Sequence, residues 1–463
     1  MKCHFIGIAG TGMGNAAGLM KEKGWMVTGS DEAVYPPMSE VLDKMEVEVK
    51  TPFSGDNINS DSGLLVVGNI CRYNHVEVLK GTNCNLKLTS FPALIGNTIL
   101  NSRKTVVVAG THGKTTTSSM VAHILNFAGR DPGYLIGGVP HDLPGSYHLG
   151  EGKEFVIEGD EYDTAFFDKN PKFIHYRPKC VILTGIEFDH ADIYRDFKHV
   201  NDQFRRLRAI TPPNGDFLVS ADNRAAMKLI EDEGGNSYGL KGEESDFYSE
   251  VFSEGTFRKC NFYSGMKKLG EYQLKLSGEH NLRNATGAVA MALCLGVNPE
   301  VALEAISEFN GVRRRQEVLG NPGNVTVVDD FGHHPTAVRL TLEGLKKNIS
   351  GRIASVFEPR SATSRRSVFQ KDYADSLKVS DAVFLSSPYD QSRIDEKERF
   401  SSELLTSDLK NSGVTTFYSS DPEELKKAIA NWAEPGDWII FFSSGSFGGL
   451  REGVLASLER KFK

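Results

Sequence analysis

The chain of 463 residues is 40% apolar and 24% charged, which is typical of a globular protein with two to four domains and excludes disordered and fibrous classes. The net charge is −7, and the charged residues form no long blocks of one sign. Neither nucleic acid nor an anionic membrane is therefore an expected partner. Six scattered cysteines without a CxxC pair argue against a disulfide scaffold or a cysteine zinc site. We expect a soluble, cytoplasmic protein that acts on small molecules, with neither a leader nor a membrane span.

The first segment, residues 1–103, is predicted to begin as a strand, a glycine turn, a helix and a second strand. HFIGIAG, TGMGNAAGLMKEKG and WMVTGSD follow one another, a pattern typical of a right-handed βαβ unit. The apolar run GLLVVGN at 63–69 indicates another buried parallel strand.

The glycine turn of this segment is a candidate nucleotide-binding loop. Gly10, Gly12 and Gly14 precede the helix, where unpaired N–H groups can hold a pyrophosphate. Asp31 follows the next strand, where its carboxylate could contact a ribose or a base. Taken alone, the loop also fits NAD, and the glycines could serve only the tight packing of strand and helix.

The second segment, residues 104–312, opens with the predicted strand TVVVAG and a helix. EFVIEGD, KCVILTGI and DFLVSAD are further predicted strands that alternate with helical stretches. Short alternating pieces between 238 and 278 predict peripheral antiparallel strands. The amphipathic helix that follows is predicted to stop at Gly296.

A second candidate loop lies between the strand and the helix that open this segment. Its glycines and the helix start present N–H donors and a positive dipole end to phosphates, a lysine adds charge, and a threonine hydroxyl can reach Mg²⁺. The loop departs from the longer P-loop pattern, because Val108 stands where the first glycine would be. The residues predicted to bind phosphate are Gly110, Thr111, Gly113, Lys114, Thr115 and Thr116.

Polar side chains follow two other strands of the second segment. Glu158 comes at the end of one strand and His190 after another, and the carboxyl ends of parallel strands meet where open α/β sheets bind ligands. Glu158 with Thr115 is a suitable set of oxygen ligands for Mg²⁺, while His190 is either a second-site ligand or only a capping residue. The acidic residues beside Glu158 could form no more than a solvated turn: Asp160, Glu161 and Asp163.

His280, Asn281 and Asn284 stand at the start of the predicted helix that ends at Gly296. Their spacing places all three on one side of the helix start. They could bind a ligand there, although an asparagine at this position is commonly only a cap.

The third segment, residues 313–463, is predicted to be a further parallel α/β unit. NVTVVDDFG, RIASVFEP, DAVFLSSP and DWIIFFSSGSFGG are its predicted strands, with a helix at 335–347. Asp330 at a strand end can accept ribose hydroxyls. Arg314 or Arg315, at the junction of the segments, can reach a phosphate when the domains close.

These motifs, in this order, resemble the Mur ligase superfamily, the ATP-dependent amide ligases that build the peptide of bacterial cell-wall precursors. GIAGTGMG, GSD and DDFGHHPT are similar to the branch that takes UDP-N-acetylmuramate. The resemblance covers essentially the whole chain and implies an α/β fold with three domains: a Rossmann-like N-terminal domain at 1–103, a central P-loop ATPase-like domain at 104–312 and a C-terminal α/β ligase domain at 313–463.

The resemblance also implies roles for the candidate residues. The N-terminal glycine loop holds the UDP, and no NAD is used. Lys114 and Thr115 contact the ATP phosphates and the metal, and Glu158 and His190 serve Mg²⁺. His280, Asn281 and Asn284 would lie near adenine and phosphate. Arg315 and Asp330 would close on ATP from the far side.

Within this branch, the chain resembles most the ligases that attach a preformed wall tripeptide in peptidoglycan recycling. The pointers are DEAVYPPMS at 31–39, YLIGGVP at 134–140, the block at 158–178, FEPRSAT at 357–363 and GSFGG at 445–449. The expected partners are therefore UDP-N-acetylmuramate and the murein tripeptide L-alanyl-γ-D-glutamyl-meso-diaminopimelate.

The tripeptide carries several carboxylates, for which guanidinium groups are the expected partners. Arg360 follows a predicted strand of the third segment and is the first candidate, while Arg365 and Arg366 could be only a solvated basic turn.

One departure from the family pattern concerns a carbamoylated lysine that several members carry after the motif histidine. The corresponding stretch reads Gln203, Phe204, Arg205 and Arg206, so we do not expect a carbamate ligand.

Three functions remain open at this level. The leading hypothesis is ATP-dependent ligation of the tripeptide to UDP-N-acetylmuramate through an acyl phosphate. The second is addition of free L-alanine to the same acceptor. The third is an NAD-dependent dehydrogenase, which would give the motif GTHGKTT no function. The sequence does not indicate which oligomeric state the protein adopts.

Overall fold

The computed structural model describes residues 1–35, 38–189, 193–254 and 257–463. Three sheets with packed helices follow one another along the chain, within residues 2–89, 104–274 and 317–442; we call these parts the N-terminal, central and C-terminal units. The predicted α/β class is confirmed. The domain boundaries after residues 103 and 312 stay predictions.

Within its described residues, 1–35 and 38–103, the N-terminal unit is a parallel sheet of five strands with four α-helices. The strands are β1 Lys2–Ile6, β2 Met26–Ser30, β3 Glu48–Lys50, β4 Leu64–Val67 and β5 Leu88–Thr89, and the helices are α1 Thr11–Glu22, α2 Met38–Lys44, α3 Val76–Asn83 and α4 Phe91–Thr98. The strand order is β3-β2-β1-β4-β5, so the direction of winding reverses beside β1. The predicted nucleotide loop follows β1 and therefore lies at the topological switch point, where such sheets bind ligands.

In the part of the chain that the structure describes, the central unit has a ten-stranded sheet, a separate two-stranded ribbon and five α-helices. The strands are β6 Lys104–Ala109, β7 Gly133–Leu135, β8 Tyr147–His148, β9 Glu154–Gly159, β10 Asp163–Ala165, β11 Asp168–Pro171, β12 Cys180–Leu183, β13 Phe217–Ser220, β14 Asn236–Leu240, β15 Phe247–Ser253, β16 Arg258–Ser264 and β17 Lys267–Leu274. The helices are α5 Lys114–Phe127, α6 Phe197–Ile210, α7 Arg224–Glu233, α8 Glu279–Cys294 and α9 Pro299–Glu308.

The order of the large sheet is β17-β16-β15-β14-β13-β12-β6-β9-β7-β8. β6 is central and pairs in parallel with β9 and β12. β15, β16 and β17 are antiparallel to one another at the sheet edge, which confirms the peripheral antiparallel strands predicted between 238 and 278. Helix α8 ends as predicted, because Gly296 adopts a φ of +80° that terminates it.

The C-terminal unit is a six-stranded sheet with five helices. The strands are β18 Glu317–Gly320, β19 Thr326–Asp330, β20 Ile353–Phe357, β21 Ala382–Leu385, β22 Thr415–Tyr418 and β23 Trp438–Phe442, and the helices are α10 Pro335–Asn348, α11 Gln370–Leu377, α12 Ser402–Asn411, α13 Pro422–Trp432 and α14 Leu450–Lys461. The order is β18-β19-β23-β20-β21-β22. The four strands predicted for this segment, β19, β20, β21 and β23, are parallel as expected. The short edge strand β18, which the sequence analysis did not predict, pairs antiparallel with β19.

The N-terminal and central units share one apolar core. A single cluster of buried side chains contains Phe5 and Ile95 from the first unit and Phe155 and Phe173 from the second. The two buried clusters of the C-terminal unit contain only its own residues. The first two units are therefore packed as one body, and the third is built as a body of its own.

Polar contacts join the C-terminal unit to the central unit. The Thr363 hydroxyl donates to Asp189 at 2.5 Å, and the Thr336 hydroxyl donates to Glu187 at 2.8 Å. Phe188 and Phe369 add a ring contact at 6.2 Å between centroids. Polar interfaces of this kind are typical of domains that move relative to one another.

All six cysteines lie in the described part of the chain, and each is a free thiol. Among the described residues, no helix combines the length and the apolar character that crossing a membrane requires.

The packing of the first two units predicts that Gly96→Ala destabilises the protein. Gly96 lies inside α4, and a Cβ atom there would come within 2.1 Å of the backbone oxygen of His175 in the central unit. Alanine normally stabilises a helix relative to glycine, but here the two units would have to separate locally, at a cost of about 1–3 kcal/mol. We expect a lower unfolding temperature in differential scanning calorimetry.

Gly453→Ala is the matched control for this substitution. Gly453 also lies inside a helix, α14, but its added Cβ would meet only the flexible Lys426 side chain, at 3.1 Å. This variant should be unchanged or stabilised by up to about 1 kcal/mol. A Gly96→Ala protein that unfolds at or above the wild-type temperature would contradict the proposed packing.

Candidate active site between the three units

The loop that connects β6 to α5 is shaped by two glycines with positive φ, Gly110 at +123° and Gly113 at +80°. A Cβ on Gly113 would lie 2.7 Å from the Asn284 side-chain oxygen, and one on Gly110 would lie 2.4 Å from the Thr184 hydroxyl. Glycine is thus required by both conformation and space. The loop holds the unpaired N–H groups of the α5 start toward a cavity, as phosphate binding needs.

Lys114, the first residue of α5, is only 13% exposed and lies among carboxylates. Its Nζ donates to the Gly110 carbonyl at 2.6 Å and pairs with the Glu161 carboxylate at 3.1 Å. Burial alone would lower the pKa of Lys114, but Glu161, Asp160 and Glu158 outweigh burial and raise the pKa. The lysine therefore stays charged and is held within the loop.

The acidic residues after β9 are not a solvated turn, as one interpretation of the sequence had it. Glu161 is 2% exposed and bound to Lys114. Asp160 pairs with Lys172 at 2.9 Å, and Asp163 pairs with Lys169 at 2.7 Å. The acidic residues alone do not reveal that lysines pair with them, because one of these lysines, Lys114, lies far away in the sequence.

Thr115, Glu158 and Arg315 meet beside the loop. The Thr115 hydroxyl donates to Glu158 at 3.2 Å, and the Arg315 guanidinium donates to the same hydroxyl at 3.2 Å. Glu158 also accepts the Gly137 N–H at 2.5 Å. The hydroxyl and the carboxylate form a donor set of oxygens that fits a hard cation such as Mg²⁺.

Burial and the neighbouring Asp160 raise the pKa of Glu158, against the opposing effect of the Gly137 N–H, Lys114 and Arg315. A buried carboxylate of this kind gains from a nearby cation. This observation supports the fit of a divalent ion to the Thr115–Glu158 pair. His190, the third predicted metal ligand, lies outside the described residues.

A first cavity extends from the loop to the start of α8. Among the residues lining it are His280, Asn281 and Asn284, together with Thr111, Gly113, Thr116, Arg315 and Asp330. The three α8 residues thus meet at one cavity, and their contact with a ligand stays a prediction. Burial and the charges of Arg258 and Arg283 lower the pKa of His280 to about 4, so its ring is neutral near pH 7.

The two arginines left open by the sequence have different positions. Arg314 is used within the C-terminal unit, where it pairs with Asp329 at 3.1 Å and donates to the carbonyls of Ser443 and Gly445. Arg315 faces Thr115 across the junction. Asp330, beside it, accepts the N–H groups of Gln316 and Gly332 at 3.1 and 2.6 Å, which fixes its carboxylate at the cavity wall.

A second cavity, of about 480 Å³, is bounded by all three units. Gly12, Asn15 and Phe91 of the N-terminal unit line it opposite Lys114, Thr115 and Glu158, and Arg315, His333 and His334 complete the wall. The structure thus brings the predicted nucleotide loop of the first segment and the phosphate loop of the second to one chamber.

The other predicted residues of the N-terminal loop have packing and hydrogen-bonding partners. A Cβ on Gly14 would lie 2.2 Å from the Met38 side chain, so this glycine serves close packing. The Asp31 carboxylate accepts the N–H groups of Ala9 and Glu32, each at 2.8 Å, and so closes the loop. Contact of Gly10, Gly12, Gly14 and Asp31 with a ligand stays a prediction.

Arg360 does not line either cavity. It lies after β20, with its guanidinium 3.9 Å from the Tyr389 ring centroid and 3.4 Å from Glu358. Arg366 pairs with Glu398 at 2.6 Å, and Arg365 donates to the Ser361 carbonyl at 3.3 Å. Arg360 is thus the one of the three placed on an aromatic face, and its role with a peptide stays a prediction.

The sequence did not single out Lys172, His112 or Asn15 as functional residues, yet all three line the second cavity. The Lys172 side chain is 8% exposed, pairs with Asp160 and lies 4.0 Å from the Tyr162 ring centroid. Lys172 begins a short 3₁₀ helix between β11 and β12. A single lysine there gives no periodic or motif signal, so only the fold identifies it.

Comparison with known proteins agrees with this architecture. The family model described as "Mur ligase family, catalytic domain" matches residues 2–103, "Mur ligase middle domain" matches 108–292, and "Mur ligase, glutamate ligase domain" matches 314–445. Together these matches span nearly the whole chain.

Three relatives illustrate the likeness. UDP-N-acetylmuramate–L-alanyl-γ-D-glutamyl-meso-2,6-diaminoheptandioate ligase of Escherichia coli K12 is 38% identical and covers 100% of this chain and 99% of its own. UDP-N-acetylmuramate–L-alanine ligase of Desulfitobacterium hafniense is 30% identical over 96% of both chains. The crystal structure of a murein peptide ligase from Psychrobacter arcticus has a TM-score of 0.74 with 33% identity over 99% of both chains. Family models in chain order and relatives of this identity and coverage lead to one conclusion: the chain belongs to the Mur ligase family.

Proposed function

We propose that this protein is an ATP-dependent ligase that joins L-alanyl-γ-D-glutamyl-meso-diaminopimelate to UDP-N-acetylmuramate. The observation that carries the proposal is the chamber shared by the three units, where Gly12, Lys114 and Arg315 face a common space. A reaction among a sugar nucleotide, ATP and an amine needs all three to converge, and proximity of this kind can supply a large part of the rate.

Each unit has one substrate in this proposal. The glycine loop after β1 holds the UDP moiety, since a helix start at a switch point favours a pyrophosphate. The 110–116 loop holds the ATP phosphates, and the nucleoside occupies the first cavity, beside His280, Asn281, Asn284 and Asp330. The C-terminal unit brings the peptide.

Thr115 and Glu158 would hold Mg²⁺, with His190 as a further candidate. When bound there, the ion would neutralise phosphate charge and help align the transferred group. Lys114 and Arg315 lie on two sides of the same space and stabilise the charge that develops on the phosphoryl oxygens.

The chemistry follows from the poor reactivity of a carboxylate toward an amine. The γ-phosphoryl group of ATP passes to the lactoyl carboxylate of the muramate, which releases ADP and forms an acyl phosphate. The amine of the tripeptide attacks the acyl carbon, phosphate leaves, and the nitrogen loses a proton. Closure of the C-terminal unit over the chamber keeps water from the acyl phosphate.

The tripeptide is the preferred amine because the relative that uses it is 38% identical and the L-alanine ligase is 30% identical. The tripeptide is a preformed piece of the cell-wall peptide. We therefore propose that the reaction belongs to peptidoglycan recycling and takes place in the cytoplasm. Addition of free L-alanine is the second candidate, favoured by the 30% relative. Membership of the Mur ligase family replaces the dehydrogenase hypothesis.

The metal assignment predicts that Glu158→Gln raises the Mg²⁺ concentration for half-maximal activity by about tenfold or more, since loss of a metal partner typically weakens binding 10–100-fold. The amide keeps the size of the side chain but loses the negative charge that faces Thr115. Phosphate release at saturating substrates, titrated with Mg²⁺, measures the effect.

Glu151→Gln is the control, because Glu151 is an exposed carboxylate away from the chamber. Its Mg²⁺ dependence should match the wild type. If the Glu158→Gln titration also matched the wild type, Glu158 would not be at the metal.

The amine assignment predicts that Arg360→Ala weakens use of the tripeptide by one to three orders of magnitude in kcat/KM. The expected loss combines about 1.5–3 kcal/mol for a charged hydrogen bond to a carboxylate with poorer alignment of the amine. Use of free L-alanine, which lacks the distal carboxylates, should change much less.

Arg366→Ala serves as the comparison, since its guanidinium is bound to Glu398 in the same segment and should contribute little. Phosphate release with each amine separates the cases. Faster wild-type turnover with free L-alanine than with the tripeptide would promote the second candidate.

A further inference from the structure

A cluster of two histidines and a carboxylate lies where the central unit meets the C-terminal unit. His112 belongs to the 110–116 loop, Glu187 follows β12, and His334 is the N-terminal cap of α10. None of the three was assigned to Mg²⁺ above. We call His112, Glu187 and His334 the junction cluster.

The ligand atoms of the junction cluster converge. One ring nitrogen of each histidine and one carboxylate oxygen of Glu187 all lie within 4.8 Å of one another. His112 Nε2 is 3.4 Å from the Glu187 Oε2 atom, and the two histidine rings are 4.6 Å apart between centroids. Small side-chain shifts bring these three atoms to the separations found around one four-coordinate ion.

The His334 ring carries a second, independent sign of a missing partner. The residue is 5% exposed, and its Nε2 atom is buried with no hydrogen-bond partner among the described residues. A buried polar atom of this kind is costly unless something binds it. Burial and the nearby His112 lower the pKa of His334 to about 4, so the ring is neutral near pH 7, as a metal ligand must be.

The surroundings orient the other two ligands. The Thr336 hydroxyl donates to Glu187 Oε2 at 2.8 Å and holds the carboxylate toward the histidines. Burial would raise the pKa of Glu187, but hydrogen bonds and charge from His112, with Thr336 and His334, lower it to about 2. The carboxylate is therefore ionised. Coordination through His334 Nε2 would place the ring proton on Nδ1, which would give up a 3.3 Å contact from the Thr336 N–H.

We propose that His112, Glu187 and His334 bind one transition-metal cation of the Zn²⁺ class, with water completing the coordination. Two imidazoles and one carboxylate suit Zn²⁺ or Co²⁺, whereas Mg²⁺ prefers oxygen ligands alone. The site is thus chemically distinct from the Thr115–Glu158 pair. Because His334 belongs to the C-terminal unit and the other two residues to the central unit, a bound cation would fasten the two units together.

The test is calorimetric titration of the full chain, stripped of metal by chelator and dialysis, with Zn²⁺ in the presence of millimolar Mg²⁺. We expect one equivalent of Zn²⁺ to bind and the unfolding temperature to rise with its concentration. Co²⁺ in place of Zn²⁺ should give the intense visible absorption of a low-coordinate site. Glu187→Gln and His334→Gln should each weaken Zn²⁺ binding by 10–100-fold.

His141→Gln is the matched control, since His141 is a half-exposed histidine near Glu317, outside the junction cluster; it should leave Zn²⁺ affinity unchanged. Thermal unfolding without metal verifies that each variant is folded. If His334→Gln misfolds, the Glu187→Gln variant remains informative because Glu187 is the more exposed residue. Absence of stoichiometric binding, or equal affinity in all three variants, would mean that the junction cluster is only a hydrogen-bonded contact and would overturn the proposal.

Discussion

Compensation of a buried positive charge is the constraint on which the rest of the chamber depends. Lys114 must be close to the loop to meet a phosphate, and its desolvation is tolerable only because Glu161, Asp160 and Glu158 surround it. The same carboxylates need cations in turn, which Lys172 and Arg315 provide from other parts of the chain. The chamber is therefore a network of paired charges that an incoming triphosphate and its cation would rearrange.

The difference between the two interfaces indicates how such a rearrangement can occur. The N-terminal and central units share a continuous apolar core, so their glycine loops keep a fixed separation. The C-terminal unit has its own cores and meets the central unit through polar contacts such as Thr363 with Asp189. Opening and closing at this polar interface would bring Arg315 to Thr115 or remove it, with little cost in buried apolar surface.

The sequence was sufficient to predict the fold class, the position of each glycine loop between a strand and a helix, and the grouping of the α8 residues at one helix start, because strand–glycine–helix patterns and helical spacing are local. It was insufficient where a role depends on a distant partner. Glu161 is buried against Lys114, and the choice between Arg314 and Arg315 depends on Asp329 and Thr115, which lie in different units. The antiparallel β18 is a short edge strand with weak patterning, and Lys172 belongs to no motif. The histidines of the junction cluster stand in GTHGKTT and DDFGHHPT, but these separate motifs do not reveal that His112 and His334 meet at Glu187.

We propose that one chamber, built by three units, couples ATP turnover to both other substrates. The most direct measurement is phosphate and ADP release by the wild-type protein with ATP and Mg²⁺, with UDP-N-acetylmuramate and the tripeptide supplied separately and together. We expect repeated turnover only with both present, and at most one ADP per active site with the sugar nucleotide alone. Sustained ATP hydrolysis without the sugar nucleotide, or at an equal rate without the amine, would contradict it.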